Sequence, residues 1–123
     1  MITEDYVSFE TAKLLKEKGF DGSVSVHYNE LGGTIMSSNP ISKNCTKCPT
    51  LQMAMKWLRE VHHLVIQIEF IDFLEHGEVW LYSIIERKTI KQLTDRDENF
   101  TEHSYEEACE AAIKYCLENL ISK

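Results

Sequence analysis

Leu64-Val65-Ile66-Gln67-Ile68-Glu69-Phe70-Ile71-Asp72 is followed, after a connection containing Glu75-His76-Gly77-Glu78, by Val79-Trp80-Leu81-Tyr82-Ser83-Ile84-Ile85-Glu86-Arg87. Both runs are of similar length, rich in β-branched and aromatic residues, and separated by polar residues with a glycine, so the spacing predicts an antiparallel hairpin. In the first run Ile66, Ile68 and Phe70 alternate with Gln67 and Glu69, the pattern of a half-exposed strand. In the second, Leu81 and Ile85 are apolar as well as Trp80, Tyr82 and Ile84, which predicts a strand more fully buried than its neighbour.

Helical patterns flank this hairpin. Upstream, Thr50 is placed as the N-cap of a helix from Leu51 to about His62, with Gln52, Lys56, Arg59, Glu60 and His63 on one stripe. Leu51, Met53, Ala54, Met55, Trp57, Leu58 and Val61 fill the rest of that helix. So wide an apolar surface needs cover on more than one side. The simpler reading packs it between sheet and neighbouring helices; the sharper one leaves Met53 and Trp57 exposed as a docking patch.

Downstream, Ser104 and Glu107 have the spacing of a capping box, and Tyr105, Ala108, Cys109, Ala112, Cys116 and Leu120 recur on one face. Glu110 and Lys114 are placed to pair on the other face at i, i+4. Toward the N-terminus, Ser8 caps a helix over Phe9 to Lys18, which Gly19 ends. Its sequence resembles the opening helix of helix-turn-helix modules, yet the strict alternation of Ser23-Val24-Ser25-Val26-His27-Tyr28 supplies a strand where a second helix is required. Leu31-Gly32-Gly33-Thr34 reads as a turn into a short strand around Ile35 and Met36. Ser37 to Cys48 is rich in turn formers and reads as the main surface loop, Lys88 to Thr94 as an extension of the second long strand, and Asp95 to Asn99 as a charged loop. The order α-β-β-α-β-β-α predicts one α+β domain over residues 1–123: two layers, with a mainly antiparallel sheet of three to four strands covered on one face by three helices.

A chain of 123 residues buries roughly 65% of its unfolded surface, enough for one core. Twenty acidic against thirteen basic side chains give a net charge of −7, which disfavours nucleic acid as a partner. Apolar stretches such as Leu64 to Ile66 are far short of a membrane span, and Met1-Ile2-Thr3-Glu4-Asp5 is acidic where a secretory signal is basic and then apolar. The expectation is a cytoplasmic protein without a membrane partner, its cysteines kept as thiols.

Candidate chemistry is sparse. Cys45-Thr46-Lys47-Cys48 has the spacing for two thiolates on one zinc, or for a thiol activated by a neighbouring amine. A zinc site needs a second ligand pair, and neither His62 with His63 nor Cys109 with Cys116 repeats the close spacing. Cys109 and Cys116 lie on the apolar stripe of the last helix and read as small core residues. His62 and His63 are placed at a helix C-terminus, where the dipole favours imidazolium. Neither a nucleophile with its base nor a carboxylate pair in a cleft is suggested, so no catalytic residue and no cofactor is assigned.

The stretches Cys48-Pro49-Thr50-Leu51-Gln52-Met53-Ala54-Met55-Lys56-Trp57-Leu58-Arg59-Glu60-Val61 and Ser104-Tyr105-Glu106-Glu107-Ala108-Cys109-Glu110-Ala111-Ala112-Ile113-Lys114-Tyr115-Cys116-Leu117 resemble a family of small uncharacterised proteins of gut Bacteroidetes and their phages or mobile elements. With Ser8-Phe9-Glu10 to Gly19-Phe20 the similarity spans most of the chain, Asn29 to Asn44 being least similar. The resemblance implies a short accessory protein acting inside a bacterial cell, and it brings no activity, cofactor or catalytic residue. The leading expectation is a noncatalytic protein-interaction module using Met53 and Trp57. The alternative is a small metal-binding or redox module using Cys45 and Cys48. Homodimerisation through a strand edge or the Trp57 face is compatible with either.

Overall fold

The hairpin is the longest feature of the computed structural model, which describes residues 4–36, 45–74, 77–94 and 101–121. Among the described residues the chain runs α1 (Phe9–Glu17), β1 (Val26–Tyr28), β2 (Thr34–Met36), β3 (Thr46–Lys47), α2 (Leu51–Val61), β4 (Leu64–Phe73), β5 (Gly77–Glu86), β6 (Lys91–Gln92), β7 (Thr101–Glu102) and α3 (Tyr105–Tyr115), which passes into a wider π-helical turn, Cys116–Leu120. This is the expected α+β architecture and order of helices and long strands.

β4 and β5 pair antiparallel from Leu64↔Glu86 to Phe73↔Gly77. Cross-strand partners share a face, so one face carries Leu64, Ile66, Ile68, Phe70, Trp80, Tyr82 and Ile84, and the other Val65, Gln67, Glu69, Ile71, Val79, Leu81, Ser83 and Ile85. Helices α2 and α3 pack on the first face. There Leu64 (4% exposed), Tyr82 (6%) and Ile84 (0%) join one core with Ala54, Trp57 and Leu58 of α2 and Cys109, Ala112 and Ile113 of α3. Val7, Ala12, Leu15, Phe20 and Val24 close that core from the N-terminal side. Each fully buried aliphatic side chain contributes about 1.5–3 kcal/mol, so this single inner face is what fixes the hairpin on the helices.

The local signals act as read. Ser8, Thr50 and Ser104 side chains accept from Thr11 N, Met53 N and Glu107 N, each satisfying an orphan donor of a helix start. The Glu107 carboxylate accepts from His103 N at 3.3 Å, one residue before the cap. Gly19 takes φ +92°, while Gly19 N donates to Lys16 O and Phe20 N to Leu15 O, a Schellman end to α1. β1 and β2 form the small hairpin, with Asn29 Oδ1 accepting from Leu31 N and Gly33 N, both at 2.9 Å.

Five readings are corrected. The strands divide between two sheets, β2-β1-β3 and β4-β5 with β6 and β7 on the far edge of β5. β3 emerges from the stretch read as loop and pairs with β1, so β1 has a neighbour on each side and no edge left for the long hairpin. The run Lys88 to Thr94 does not extend β5. The chain reverses because the Glu86 carboxylate accepts from Lys88 N (3.1 Å), Thr89 N (2.7 Å) and Thr89 Oγ1 (2.6 Å). Ile90, at φ +58°, completes the reversal, and β6 runs back along β5. Those hydrogen bonds hold the Glu86 carboxyl below its usual range. Glu110 and Lys114 do not pair: Lys114 Nζ reaches Glu10 Oε1 at 3.0 Å, and Glu110 turns to the N-terminus of α1. Finally, β5 is buried on one face only, because helices cover a single side of its sheet. The expectations for 37–44 and 95–99 fall outside the described residues.

Candidate interaction surface

The outer face of the β4–β5 hairpin holds Val65 beside Ile85, Glu69 beside Leu81, and Ile71 beside Val79, with Gln67 and Ser83 between them. Val65, Ile71, Val79, Leu81 and Ile85 are all half-buried, and none belongs to the core cluster or to the residues packed against it. Among the described residues no helix lies over them. Five aliphatic side chains thus share this face, Val65 and Ile85 on one side of the Gln67–Ser83 pair and Leu81, Ile71 and Val79 on the other, on a chain of net charge −7. The sequence signal was present in β5, where apolar residues occupy both parities. That pattern suggests burial on two faces, and it equally describes one face in the core and one apolar face outside it.

The residues expected at a docking patch separate. Trp57 is only 8% exposed. Its ring meets Phe20 edge-on at 5.6 Å and His62 at 4.7 Å, so it belongs to the core as the simpler reading had it, and the exposed-patch expectation loses this residue. Met53, one turn earlier, is 36% exposed at the rim.

Cys45 is half-buried and Cys48 buried, and none of the four cysteines is in a disulfide. Burial pushes the Cys48 thiol up, against the lowering effect of a hydrogen bond with Tyr28, and the Glu110 charge adds to the rise. Cys48 Sγ lies 3.8 Å from Val7 O, the carbonyl to which Tyr28 Oη donates at 2.6 Å. A thiol held protonated in this way is a poor zinc ligand and a poor nucleophile. Among the described residues no group of three or more His, Cys, Asp or Glu side chains is arranged to hold a metal ion. Cys109 and Cys116 are fully buried, with thiols pushed up by burial to about 11 and about 12 respectively.

His62 corrects the imidazolium reading. Its ring packs on Trp57, and burial first, then the neighbouring His63, lower its pKa. Desolvation outweighs the helix dipole there, and neutral imidazole is the favoured form. Its Nε2 is buried and has no hydrogen-bond partner among the described residues. His63 supplies backbone geometry: it takes φ +59° between α2 and β4, and its carbonyl accepts from Arg87 N at 2.7 Å.

A shallow groove of about 470 Å³ lies between the N-terminal segment and the start of α3, lined by Asp5, Tyr6, Leu51, Glu102, Glu106, Glu107, Glu110 and Ala111. Burial and then Glu107 raise the Glu102 carboxyl above its usual range. The groove repels anions, and two of its carboxylates already serve structure. Glu107 accepts from His103 N; Glu110 accepts from Ser8 N at 2.7 Å, from the Thr11 hydroxyl through a short bond, and approaches Ser8 Oγ at 3.5 Å. No described helix is long and apolar enough to cross a membrane. Comparison with family models, curated proteins and solved structures yields no match.

Proposed function

We propose that this protein is a noncatalytic interaction module that presents the open face of the β4–β5 hairpin to a protein partner in the cytoplasm. The observation that carries the reading is the asymmetry of the hairpin: one face is locked into the helical core by Tyr82 and Ile84, while Val65, Ile71, Val79, Leu81 and Ile85 on the other are half-buried and lie outside that core. Met53, expected at a docking patch, stays accessible at 36%, and Trp57 acts by packing α2. The cysteine alternative has little support from the geometry, since Cys48 is buried and its thiol is raised. Replacing Cys45 and Cys48 by serine is its test, with loss of bound metal or of thiol reactivity as the supporting outcome.

Affinity capture with wild type and with Leu81→Lys tests the main reading, each recovered partner then being titrated as a purified protein. Leu81 faces outward, so lysine there leaves the fold intact and places a charge in the middle of the surface. A partner whose binding weakens at least tenfold with Leu81→Lys supports the reading. Binding that is unchanged by this substitution refutes it.

A further inference from the structure

Among the described residues the hairpin has one long unpaired edge. β4 pairs with β5 on one side, and among the described residues no strand pairs with its other side, whereas the far edge of β5 is capped by the two-residue strands β6 and β7. Arg87 N donates to His63 O, so residues 63 and 87 form a hydrogen-bonded pair. Antiparallel ladders alternate, and the odd-numbered residues of β4 therefore spend their backbone groups on β5. The even-numbered residues Leu64, Ile66, Ile68, Phe70 and Asp72 point N–H and C=O outward. Ile84 O of β5 accepts from Leu93 N on the opposite side, as the same alternation requires. Ten residues long, β4 carries no proline, lysine or arginine, and its two charged residues, Glu69 and Asp72, lie in its second half.

We propose that a second copy of this chain pairs antiparallel with the β4 edge about a two-fold axis through Ile68. The proposal deepens the interaction reading above and rests on the same hairpin. In this register the outward backbone groups of Ile68 meet those of Ile68 in the other copy, and Ile66 meets Phe70. On the outer face Val65 faces Ile71 of the second copy, and Gln67 faces Glu69. Apolar meets apolar, and a carboxamide donor meets a carboxylate, at every position from 65 to 71. A carboxylate accepts from several donors, so Glu69 serves Gln67 of the second copy alongside its own contacts. Shifting the axis to residue 69 sets Glu69 against Glu69, and shifting it to 67 sets Val65 against Glu69. Sequence and charge thus single out one register.

The pairing also explains an oddity of the inner row. Phe70 is on the core face and stacks on Trp80 at 4.9 Å, yet it is 47% exposed. In the dimer Ile66 of the second copy lies against it. The contact is isologous and closes on itself, and it sets the two outer faces side by side.

Sedimentation equilibrium of the full chain from micromolar to millimolar concentration, for wild type, Gln67→Lys and Gln67→Glu, tests this. Gln67 is exposed, so neither substitution disturbs the fold, and urea denaturation verifies that. Two symmetric contacts change together, so Gln67→Lys tightens the dimer and Gln67→Glu loosens it, each by roughly two- to thirtyfold. A monomer throughout that range overturns the proposal. So does a dimer indifferent to both changes, and so does one that Gln67→Lys weakens, since lysine would then face its own copy across an axis at 67. Any of these results leaves the partner-binding reading standing, because Leu81→Lys tests that reading against a different protein.

Discussion

Removing the Glu110 carboxylate should unlatch α1 from α3. Three features meet at this point. Ser8 N, a donor just before the first turn of α1, gives its hydrogen bond to Glu110 Oε1 at 2.7 Å. The Thr11 hydroxyl, on a fully buried residue, donates to Glu110 Oε2 and accepts from Ser8 Oγ at 3.1 Å. The positive end of the α1 dipole faces the carboxylate. A hydrogen bond to a charged group is worth about 1.5–3 kcal/mol and a charge at a helix terminus about 0.3–1 kcal/mol. Partial solvent exposure discounts both terms, which leaves about 2–3 kcal/mol for Glu110→Ala and about 1–1.5 kcal/mol for Glu110→Gln. Urea denaturation should show a lowered midpoint with an unchanged slope. A double-mutant cycle should couple Glu110→Ala to Thr11→Val, whereas Lys114→Ala should couple to Glu10→Ala, the pair joined at 3.0 Å. Coupling of Glu110 to Lys114 in place of Thr11, or a loss below about 0.5 kcal/mol for Glu110→Ala, would refute the latch.

Further expectations follow from the buried groups. With a maleimide at pH 7.5, Cys45 should react first, and Cys48, Cys109 and Cys116 only at the rate of unfolding, since burial holds their thiols protonated and covered; equal rates for all four would contradict this packing. Trp57→Ala should cost about 3–5 kcal/mol through the emptied core, against less than about 1 kcal/mol for Met53→Ala at the rim, as read by denaturation. The fold lowers the His62 pKa, so the unfolded chain binds the proton more tightly. The His62 contribution is then complete above the unfolded value of about 6.5 and is lost as pH falls below it through the folded pKa. His62→Phe should flatten the stability profile between about pH 5 and 7, and an unchanged slope would show that His62 does not titrate with folding.

What the sequence displayed most clearly was local chemistry. Ser8, Thr50, Ser104 and Gly19 end or begin helices for reasons contained within four or five residues, and the β4–β5 hairpin follows from composition and one glycine-bearing turn. The misses are tertiary. Glu110 has an i+4 partner in sequence, but the cap of α1 offers it a backbone N–H and a buried hydroxyl, which a surface lysine does not match. The reversal at Arg87 to Ile90 has neither glycine nor proline to announce it, because a single carboxylate, Glu86, takes up its donors. His62 could not be read as neutral until Trp57 was seen against its ring. The open face was legible only as apolar residues at both parities of β5; which face the helices would take, and that only one would be taken, is set by packing.

The central claim, that one face of the hairpin is core and the other is open, is tested most directly by comparing urea denaturation of Leu81→Lys with that of Ile84→Lys. Ile84 is 0% exposed on the helix side, and a lysine there should cost more than about 4 kcal/mol or abolish folding. Leu81 faces outward opposite Glu69, and lysine there should change stability by less than about 1 kcal/mol. Comparable losses of several kcal/mol at both positions would mean that both faces are covered, and the open-face account would be wrong.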